Sequence, residues 1–431
     1  MSSSKPKLSK LFLFNPNWGP REGEEEKKII YFWPPETEIN DQVKTVGLVE
    51  AVVRFGKTFS GHSAHSLHTQ KTRTVWRAVE PEFFLCFTVS VPCVRRPGKE
   101  GEVVEYRPEE VSDKVLLGIL DKAHQMFSLF SGGLHYILEN NQSSREVLSE
   151  RVRHFYSRYL TSLKLEHSSV LDMWGGIQYL PLEAQPFLRV QSFINRTGLK
   201  FPCVASSLFL QQGQLVWSEI CPGLTRLLVH YLTTTLLPSL PSLPAPSPTS
   251  PHQGRFLVGG SEGAALPLVH LDQQTTRHLV VYHAINSTLC LLLHEAPQSD
   301  FYPAYSDWTG PVLSDLSADL THIWATSSSS QPSSHSDHVR FIYFNGANFA
   351  VKSTVEAGSE TVVNLAAELA AALPEKGGET TAKLNNDQWV VVRRSGVRTV
   401  IILVMKNLNL LDVWEEVNKL DKTSFSQICL L

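Results

Sequence analysis

The sequence predicts an α/β protein built from three copies of one domain, each a mainly antiparallel sheet flanked by helices in the α+β manner of layering. Three observations predict this class. The 431 residues suggest about three domains of ordinary size. Two stretches rich in Pro or Ser divide the chain. The segments between them repeat the order strand, strand, helix, strands, helix, for which a sheet with helices on one face is the simplest layering.

Each domain is predicted to open with a β-hairpin. The three hairpins cover residues 11–33, 206–218 and 339–354, where apolar strands flank turns that carry Asn, Gln or Gly. The second and third turns are short. The first hairpin differs because its strands are joined by a long loop of Asn, Pro, Gly and charged residues, NPNWGPREGEEEKK. This loop is therefore the most distinctive feature of the first domain.

A helix is predicted after each hairpin, over residues 40–55, 223–237 and 361–373, because apolar residues recur there at helical spacing. Two further strands follow in every domain. The first strands of these pairs cover residues 82–91, 277–283 and 387–394, and the second strands lie in GEVVEYR, STLCLLLHEA and RTVIILVMKN.

A closing helix ends each repeat. In the first, PEEVSDKVLLGILDKAHQMFSLFSGG places five apolar side chains on one stripe and ends at Gly132 and Gly133; the stripe is Leu116, Leu120, Ala123, Phe127 and Phe130. Residues 305–324 and 410–420 are the counterparts. An additional helix is predicted over residues 143–163, with Ser143 and Glu146 as its capping box.

Linkers set the domain limits. PSLPSLPAPSPTSP (residues 238–251) and SSSSQPSSHSD (residues 327–337) cannot build a core, and a softer boundary is expected at residues 195–202. We predict a first domain over residues 8–165, a second over 200–326 with a Pro-rich insert at 238–254, and a third over 337–431.

Composition and charge exclude several classes of function. Charged residues make up 19% of the chain and the formal net charge is −3, so no basic field exists to recruit nucleic acid. No apolar run is long enough for a transmembrane helix. The polar start, MSSSKPKLSK, and six cysteines without a CxxC pair lead us to expect a cytosolic protein with reduced thiols.

Sequence motifs for covalent chemistry are absent, so no catalytic residue, cofactor or metal is predicted. AVVRFGKTF resembles the end of a phosphate-binding loop, but Ala51 stands where the first Gly belongs and the Lys follows a predicted helix. His62, His65 and His68 lack a fourth metal ligand nearby and are interpreted as solvated loop residues. His335 and His338 lie in and beside a linker.

The helix at residues 40–55 has an unusually wide apolar arc. Val46, Val49 and Val53 form one stripe, and Leu48, Val52 and Phe55 form another. Packing on one sheet needs an arc of only roughly 100°. The surplus indicates either a protein partner or a helix enclosed within its own domain. Trp18, inside the opening Pro/Gly turn, has the same two interpretations. It contacts a partner, since an exposed Trp is a favoured interface anchor, or it packs within its own domain.

Several segments carry a resemblance to a known family. FNPNWGPREGEEEKKIIYFWP, VGLVEAVVRF, SLHTQKTR, LDMWGGIQYLPL, QSFINR, LVHYLTTTLLP, RFIYFN and AVKST resemble, in this order, the Ccz subunits of Mon–Ccz complexes. The resemblance implies three longin domains, a Mon subunit as partner, a third regulatory subunit, and exchange of guanine nucleotide on a Rab-seven-class GTPase of late endosomes. It also implies a cytoplasmic complex that is peripheral on endosomal and lysosomal membranes.

The resemblance also suggests an interface, in which the first domains of both subunits pair and form a platform for the GTPase. Asn15, Pro16, Gly19 and Pro20 would give the opening loop its shape, and Trp18, Arg21 and Glu22 would contact a neighbour. The helical part of this expected interface consists of Val46, Val49 and Val53. Two alternatives stay open: a loop that caps its own sheet, and a non-catalytic longin-type trafficking adaptor.

Overall fold

The structure, a computed structural model, describes residues 5–60, 64–98, 101–163, 165, 174–242, 254–259, 266–272, 274–329, 338–355, 360–384 and 387–420. His62, His335, most of the Pro-rich insert and most of the Ser-rich linker lie outside these ranges. The chain forms two compact units, residues 1–175 with 272–275, and residues 176–271 with 276–431.

The first unit contains one five-stranded antiparallel sheet and a separate two-stranded ribbon. Its sheet has the order β2-β1-β5-β4-β3. The elements are β1 (Leu8–Phe14), β2 (Ile29–Trp33), α1 (Ile39–Ser60), β3 (Ser66–His68), β4 (Thr72–Glu80), β5 (Phe83–Ser90), β6 (Cys93–Gly98), β7 (Gly101–Tyr106), α2 (Asp113–Ser131), α3 (Leu134–Asn140) and α4 (Arg145–Ser162). The segment GEVVEYR, predicted as a strand, pairs with β6 in the ribbon and not in the sheet.

Helices cover both faces of this sheet. Alternate residues of β1 point to opposite sides, so Leu11 and Leu13 pack with α2, α3 and α4, whereas Phe12 and Phe14 pack with α1. The one-sided layering expected from the sequence is therefore wrong for this domain. The reason is that the central strands carry no polar face that could meet water.

The ends of the helices are set by local chemistry. Gly132 terminates α2 with a φ of 83°, as predicted from the Gly-Gly pair. The cap of α4 lies one residue later than expected: the side chain of Ser144, not Ser143, accepts a hydrogen bond from the N–H of Val147. Ser143 has a φ of 57°, and it forms part of the preceding turn.

The second unit contains two more sheets. The first of them has the order β10-β9-β14-β13-β11, with β12 also paired to β13. Its elements are α5 (Ala184–Lys200), β9 (Val204–Gln211), β10 (Gln214–Ser218), α6 (Pro222–Tyr231), β11 (Arg255–Val258), β12 (Leu268–His270), β13 (Thr276–Ala284), β14 (Ser287–Leu293) and α7 (Phe301–Ser329). Helix α5 covers most of the boundary expected at residues 195–202 and ends within it at Lys200; it packs on this sheet with Val190, Phe193 and Ile194.

The last sheet has the order β17-β18-β19-β15-β16-β8. Its elements are β8 (Ile177–Gln178), β15 (Val339–Asn345), β16 (Ala350–Ser353), α8 (Glu360–Ala372), β17 (Gly378–Lys383), β18 (Trp389–Ser395), β19 (Arg398–Val404) and α9 (Leu410–Leu420). Strand β8 adds to β16 in parallel, and the adjacent Tyr179 forms a bridge to Leu215 of β10. The segment that holds β8 therefore connects two sheets of this unit.

The three sheets share one topology. When β12 of the second sheet and β8 of the third are left out and the other five strands of each repeat are numbered along the chain, every sheet has the order 2-1-5-4-3. This shared order confirms the predicted triplication. Strand β4, the short strands β3, β6, β8, β11, β12 and β17, and helices α3 and α5 were not predicted from the sequence.

The carboxylate of Glu80, at the end of β4, connects the sheet of the first domain to helices α2 and α3. Its carboxylate accepts hydrogen bonds from the N–H groups of Leu134 (2.7 Å) and His135 (2.9 Å) at the start of α3 and lies 3.3 Å from His124 Nε2. Burial raises the pKa of Glu80, but the bonds from His124, Leu134 and His135 outweigh burial and hold that pKa below its usual range.

We expect Glu80→Gln to lower the free energy of unfolding by about 1–2 kcal/mol at neutral pH. The folded-state pKa is lowered, so the charge stabilises the domain above the unfolded pKa of about 4.3 and less as pH falls through the folded value. Urea titrations at pH 7 and at about pH 4 measure both effects. Glu150→Gln, at an exposed position of α4, should leave stability unchanged, and an equal loss at both pH values would contradict the charge-based explanation.

Candidate functional site

The opening loop and helix α1 form the candidate site in the first unit. The loop is closed by its own backbone: the N–H of Asn15 donates to the carbonyl of Lys28 at 2.9 Å, and the N–H of Trp18 donates to the carbonyl of Asn15 at 3.2 Å. The side chain of Asn15 is buried and accepts from the N–H of Asn17 at 2.9 Å. Asn15 therefore shapes the loop and is too buried to be a contact surface itself.

Gly19 is a position of the loop that leaves no room for a side chain. Its φ is 64°, and a Cβ there would lie 2.2 Å from the carbonyl oxygen of Glu24. No side chain fits this position, so the turn requires glycine. After it, Pro20, Arg21 and Glu22 are exposed, whereas Pro16 is half-buried. The exposed residues of the loop, which a partner can reach, are Asn17, residues 20–23, Glu26 and Lys27.

Trp18 packs against its own domain. Its ring meets Phe83 edge-on at a centroid distance of 5.8 Å, and the guanidinium of Arg145 lies 4.3 Å from the ring centroid. Phe83 belongs to the sheet face that α2 to α4 cover. Trp18 therefore lies on the opposite side of the sheet from α1, which corresponds to the alternative of a loop that caps its own sheet.

Helix α1 presents one stripe inward and another outward. Val46, Val49 and Val53 are 2–6% exposed and pack on Phe12, Phe14, Phe32 and Trp76. Leu48 is 54% exposed and Phe55 is 64% exposed. The valines chosen from the sequence are thus core residues of their own domain, which corrects that choice. The apolar surface that a partner can reach is the stripe of Leu48 and Phe55. The helical wheel distinguished this stripe from the valine stripe, but it did not show which of the two faces the sheet.

A cluster of charges ties the loop to this helix. Glu50 is largely buried and pairs with Lys28 at 2.8 Å and with Arg54 at 2.7 Å. Lys28 ends the helical turn Glu25–Lys28 that closes the loop, so one carboxylate connects the loop to α1. Nearer the N-terminus of α1, Lys10 Nζ donates to Thr45 Oγ1 at 2.8 Å. The outward stripe therefore has a fixed position relative to the sheet.

Among the three clustered histidines, His68 has a structural role. His68 lies in β3 and not in a loop, and its Nε2 is 2.7 Å from Asp113 Oδ2, while Arg73 contacts the other oxygen at 2.7 Å. Burial raises the pKa of Asp113, but the bonds from Ser66, Arg73 and His68 outweigh burial and lower it. Within the described ranges, no group of three or more His, Cys, Asp or Glu side chains is arranged to hold a metal ion. No helix in those ranges is both long and apolar enough to cross a membrane.

Comparison with known proteins agrees with this architecture. Residues 8–132 match the family described as "First Longin domain of INTU, CCZ1 and HPS4", and residues 204–307 match "Intu longin-like domain 2". The chain is thus a protein of the longin-domain class. It is similar to proteins named "Vacuolar fusion protein CCZ1 homolog" in Xenopus tropicalis (35% identical, 99% of this chain and 98% of the relative) and Nematostella vectensis (34%, 98% of each).

A more distant relative with the same name, from Dictyostelium discoideum, is 25% identical over 93% of this chain and 92% of its own. The chain belongs to the family of vacuolar fusion protein CCZ1 homologs. The resemblance to Ccz subunits and the longin fold expected from it are thereby confirmed.

The two stripes of α1 predict a large and a small effect on stability for the same substitution. Val49→Asp places a charge in the core and should lower the free energy of unfolding by more than about 3 kcal/mol. Leu48→Asp, one position earlier, should change it by less than about 0.5 kcal/mol because that side chain is exposed. Thermal unfolding followed by circular dichroism compares them. Equal melting temperatures would contradict the assignment of the stripes.

The glycines of the site provide a second pair. Gly19→Ala should destabilise the loop by about 1–3 kcal/mol because of its φ and the clash with Glu24. Gly47→Ala, where a Cβ meets nothing within 4 Å, should stabilise α1 by about 0.5–1 kcal/mol. Chemical unfolding and amide exchange of the loop measure both changes, and a tolerated Gly19→Ala would show that the loop adopts another conformation.

Proposed function

We propose that this chain is one subunit of a heteromeric guanine-nucleotide exchange factor for a late-endosomal GTPase of the Rab-seven class, with a Mon subunit as its partner. The observation that carries the proposal is the outward stripe of Leu48 and Phe55, an apolar surface fixed on a domain that already has its own core. The name that the relatives share, vacuolar fusion protein, supports a role in membrane trafficking.

Nucleotide exchange requires no covalent chemistry. A small GTPase holds its nucleotide through Mg²⁺ and ordered switch loops. A protein that binds the nucleotide-free form more tightly must weaken the affinity for nucleotide by the same factor, because binding free energies are linked. A rigid surface that draws a switch loop away is therefore sufficient. The described part of the first domain offers such a surface and needs no reactive residue for this task.

In this proposal the first longin domains of the two subunits pair through α1. Leu48 and Phe55 are each about half exposed, so covering them contributes about 1–2 kcal/mol apiece. That amount is too small for a stable heterodimer, so neighbouring residues must also be covered. On the loop joined to α1 by Glu50, the exposed side chains of Arg21 and Glu22 supply polar contacts at the rim, and the exposed Pro20 lies beside them.

The remaining expectations follow from the family. The complex includes a third regulatory subunit and attaches peripherally to late-endosomal and lysosomal membranes through its assembly. There it promotes endosome maturation and the fusion of autophagosomes with lysosomes. Nucleic acid is not a partner, since the chain carries a net charge of −3 and no strongly basic composition.

A nucleotide-release assay tests the proposal. Release of a fluorescent guanine nucleotide from the Rab-seven GTPase should accelerate only when this chain and the Mon subunit are both present. The double substitution Leu48→Asp with Phe55→Asp should abolish pulldown of the Mon subunit and the acceleration with it. Val397→Asp, at a position of similar exposure in the third domain, should change neither.

Two outcomes would overturn parts of the proposal. Normal exchange by the complex with the doubly substituted chain would show that the outward stripe of α1 is not the pairing surface. Binding of Mon and of the GTPase without accelerated release would indicate the alternative function, a non-catalytic longin-type adaptor.

A further inference from the structure

A groove lies between the two helices that cover one face of the second sheet. Helices α5 and α7 run antiparallel, because Arg189 pairs with Asp319 while Arg196, further along α5, lies over Trp308 near the start of α7. Their inward residues join the core of the sheet. On the other side they leave a groove of about 670 Å³.

The middle of the groove is apolar. Its apolar lining consists of Leu188, Phe193, Val312 and Leu316. Leu188 is 59% exposed although it lies beside the buried core of the sheet. The volume is several times that of one side chain and falls in the range of specific binding pockets. A groove of this shape between two helices is suited to the apolar face of a third helix.

One end of the groove carries positive charge that the described part of the chain does not neutralise. Lys200 Nζ lies 4.1 Å and the Arg196 guanidinium 5.2 Å from the centroid of the Trp308 ring. Neither cation is within ion-pair distance of a carboxylate among the described residues, whereas Arg189 at the other end is paired with Asp319. The indole N–H of Trp308 is buried and has no acceptor in the described ranges.

We propose that this groove docks an acidic amphipathic helix of a protein partner. Its apolar side chains cover Leu188 and the half-buried Val312, and its carboxylates meet Arg196 and Lys200, whose positions the Trp308 ring holds. An anionic membrane fits less well, because Asp315 lines the same groove and Asp319 borders it. The charges also set a direction: the acidic part of the ligand lies at the Trp308 end.

The experiment uses the full chain and synthetic helical peptides. One labelled peptide carries Leu at positions i, i+3, i+7 and i+10 with flanking Glu, and its counterpart carries Lys in place of Glu. We expect the Glu peptide to bind in fluorescence anisotropy and the Lys peptide to bind at least about tenfold more weakly. The double substitution Arg196→Glu with Lys200→Glu should reverse this preference, which mere unfolding could not do.

Matched variants locate the binding site. Leu188→Asp should weaken the Glu peptide by roughly tenfold. Leu199→Asp, on the same helix, 83% exposed and outside the groove, should leave it unchanged. Circular dichroism confirms that each variant is folded.

Several results would overturn the proposal. These are equal affinity for both peptides, no binding of the Glu peptide, or an equal effect of Leu188→Asp and Leu199→Asp. Binding to phosphatidylserine vesicles that depends on Arg196 and Lys200, without binding of the Glu peptide, would assign the groove to a lipid surface. A concentration-dependent dimer in mass photometry that Leu188→Asp dissociates would assign it to a second copy of this chain.

Discussion

The burial of both faces of the first sheet is the constraint on which the rest of that domain depends. Leu11, Phe12, Leu13 and Phe14 are successive residues, and none is more than 1% exposed. Because successive side chains of a strand point to opposite faces, such a run leaves no face for water. The sheet must carry a helical layer on each side, and α1 is the layer on the Phe12 side. The inward direction of its valines follows from that position, and so does the exposure of Leu48 and Phe55.

The sequence was sufficient for the parts of the fold that short-range chemistry controls. The three opening hairpins, the helices after them and the closing helices are marked by apolar spacing, turn residues and a Gly-Gly stop. Strand β4 was missed because its residues do not look like a buried strand. Arg73 lies within it at 7% exposure, and its charge is balanced by Asp113, forty positions away. No local sequence pattern indicates an ion-pair partner that is so far away along the chain.

In the candidate site, too, the sequence predicts what neighbouring residues determine and does not predict what tertiary contacts determine. The helical wheel of α1 separated two apolar stripes correctly, but it contains no information about which stripe meets the sheet. Trp18 was a reasonable interface residue in a turn of Pro and Gly, yet Phe83 and Arg145 hold its ring on the domain. The residues that shape the loop, Asn15 and Gly19, could be predicted because their role is set by the backbone around them.

The three repeats also show where differences in binding must reside. Their sheets share the order 2-1-5-4-3, so the sheets alone present nearly the same scaffold three times. The helices that cover the sheets differ. Helix α1 has an exposed apolar stripe, whereas α5 and α7 form a groove with a positive charge at one end, supplied by Arg196 and Lys200. A common sheet can tolerate such changes because the outward residues of a covering helix contribute little to its core. We therefore expect the repeats to differ in their partners through these outward residues, whereas the inward residues are constrained by packing.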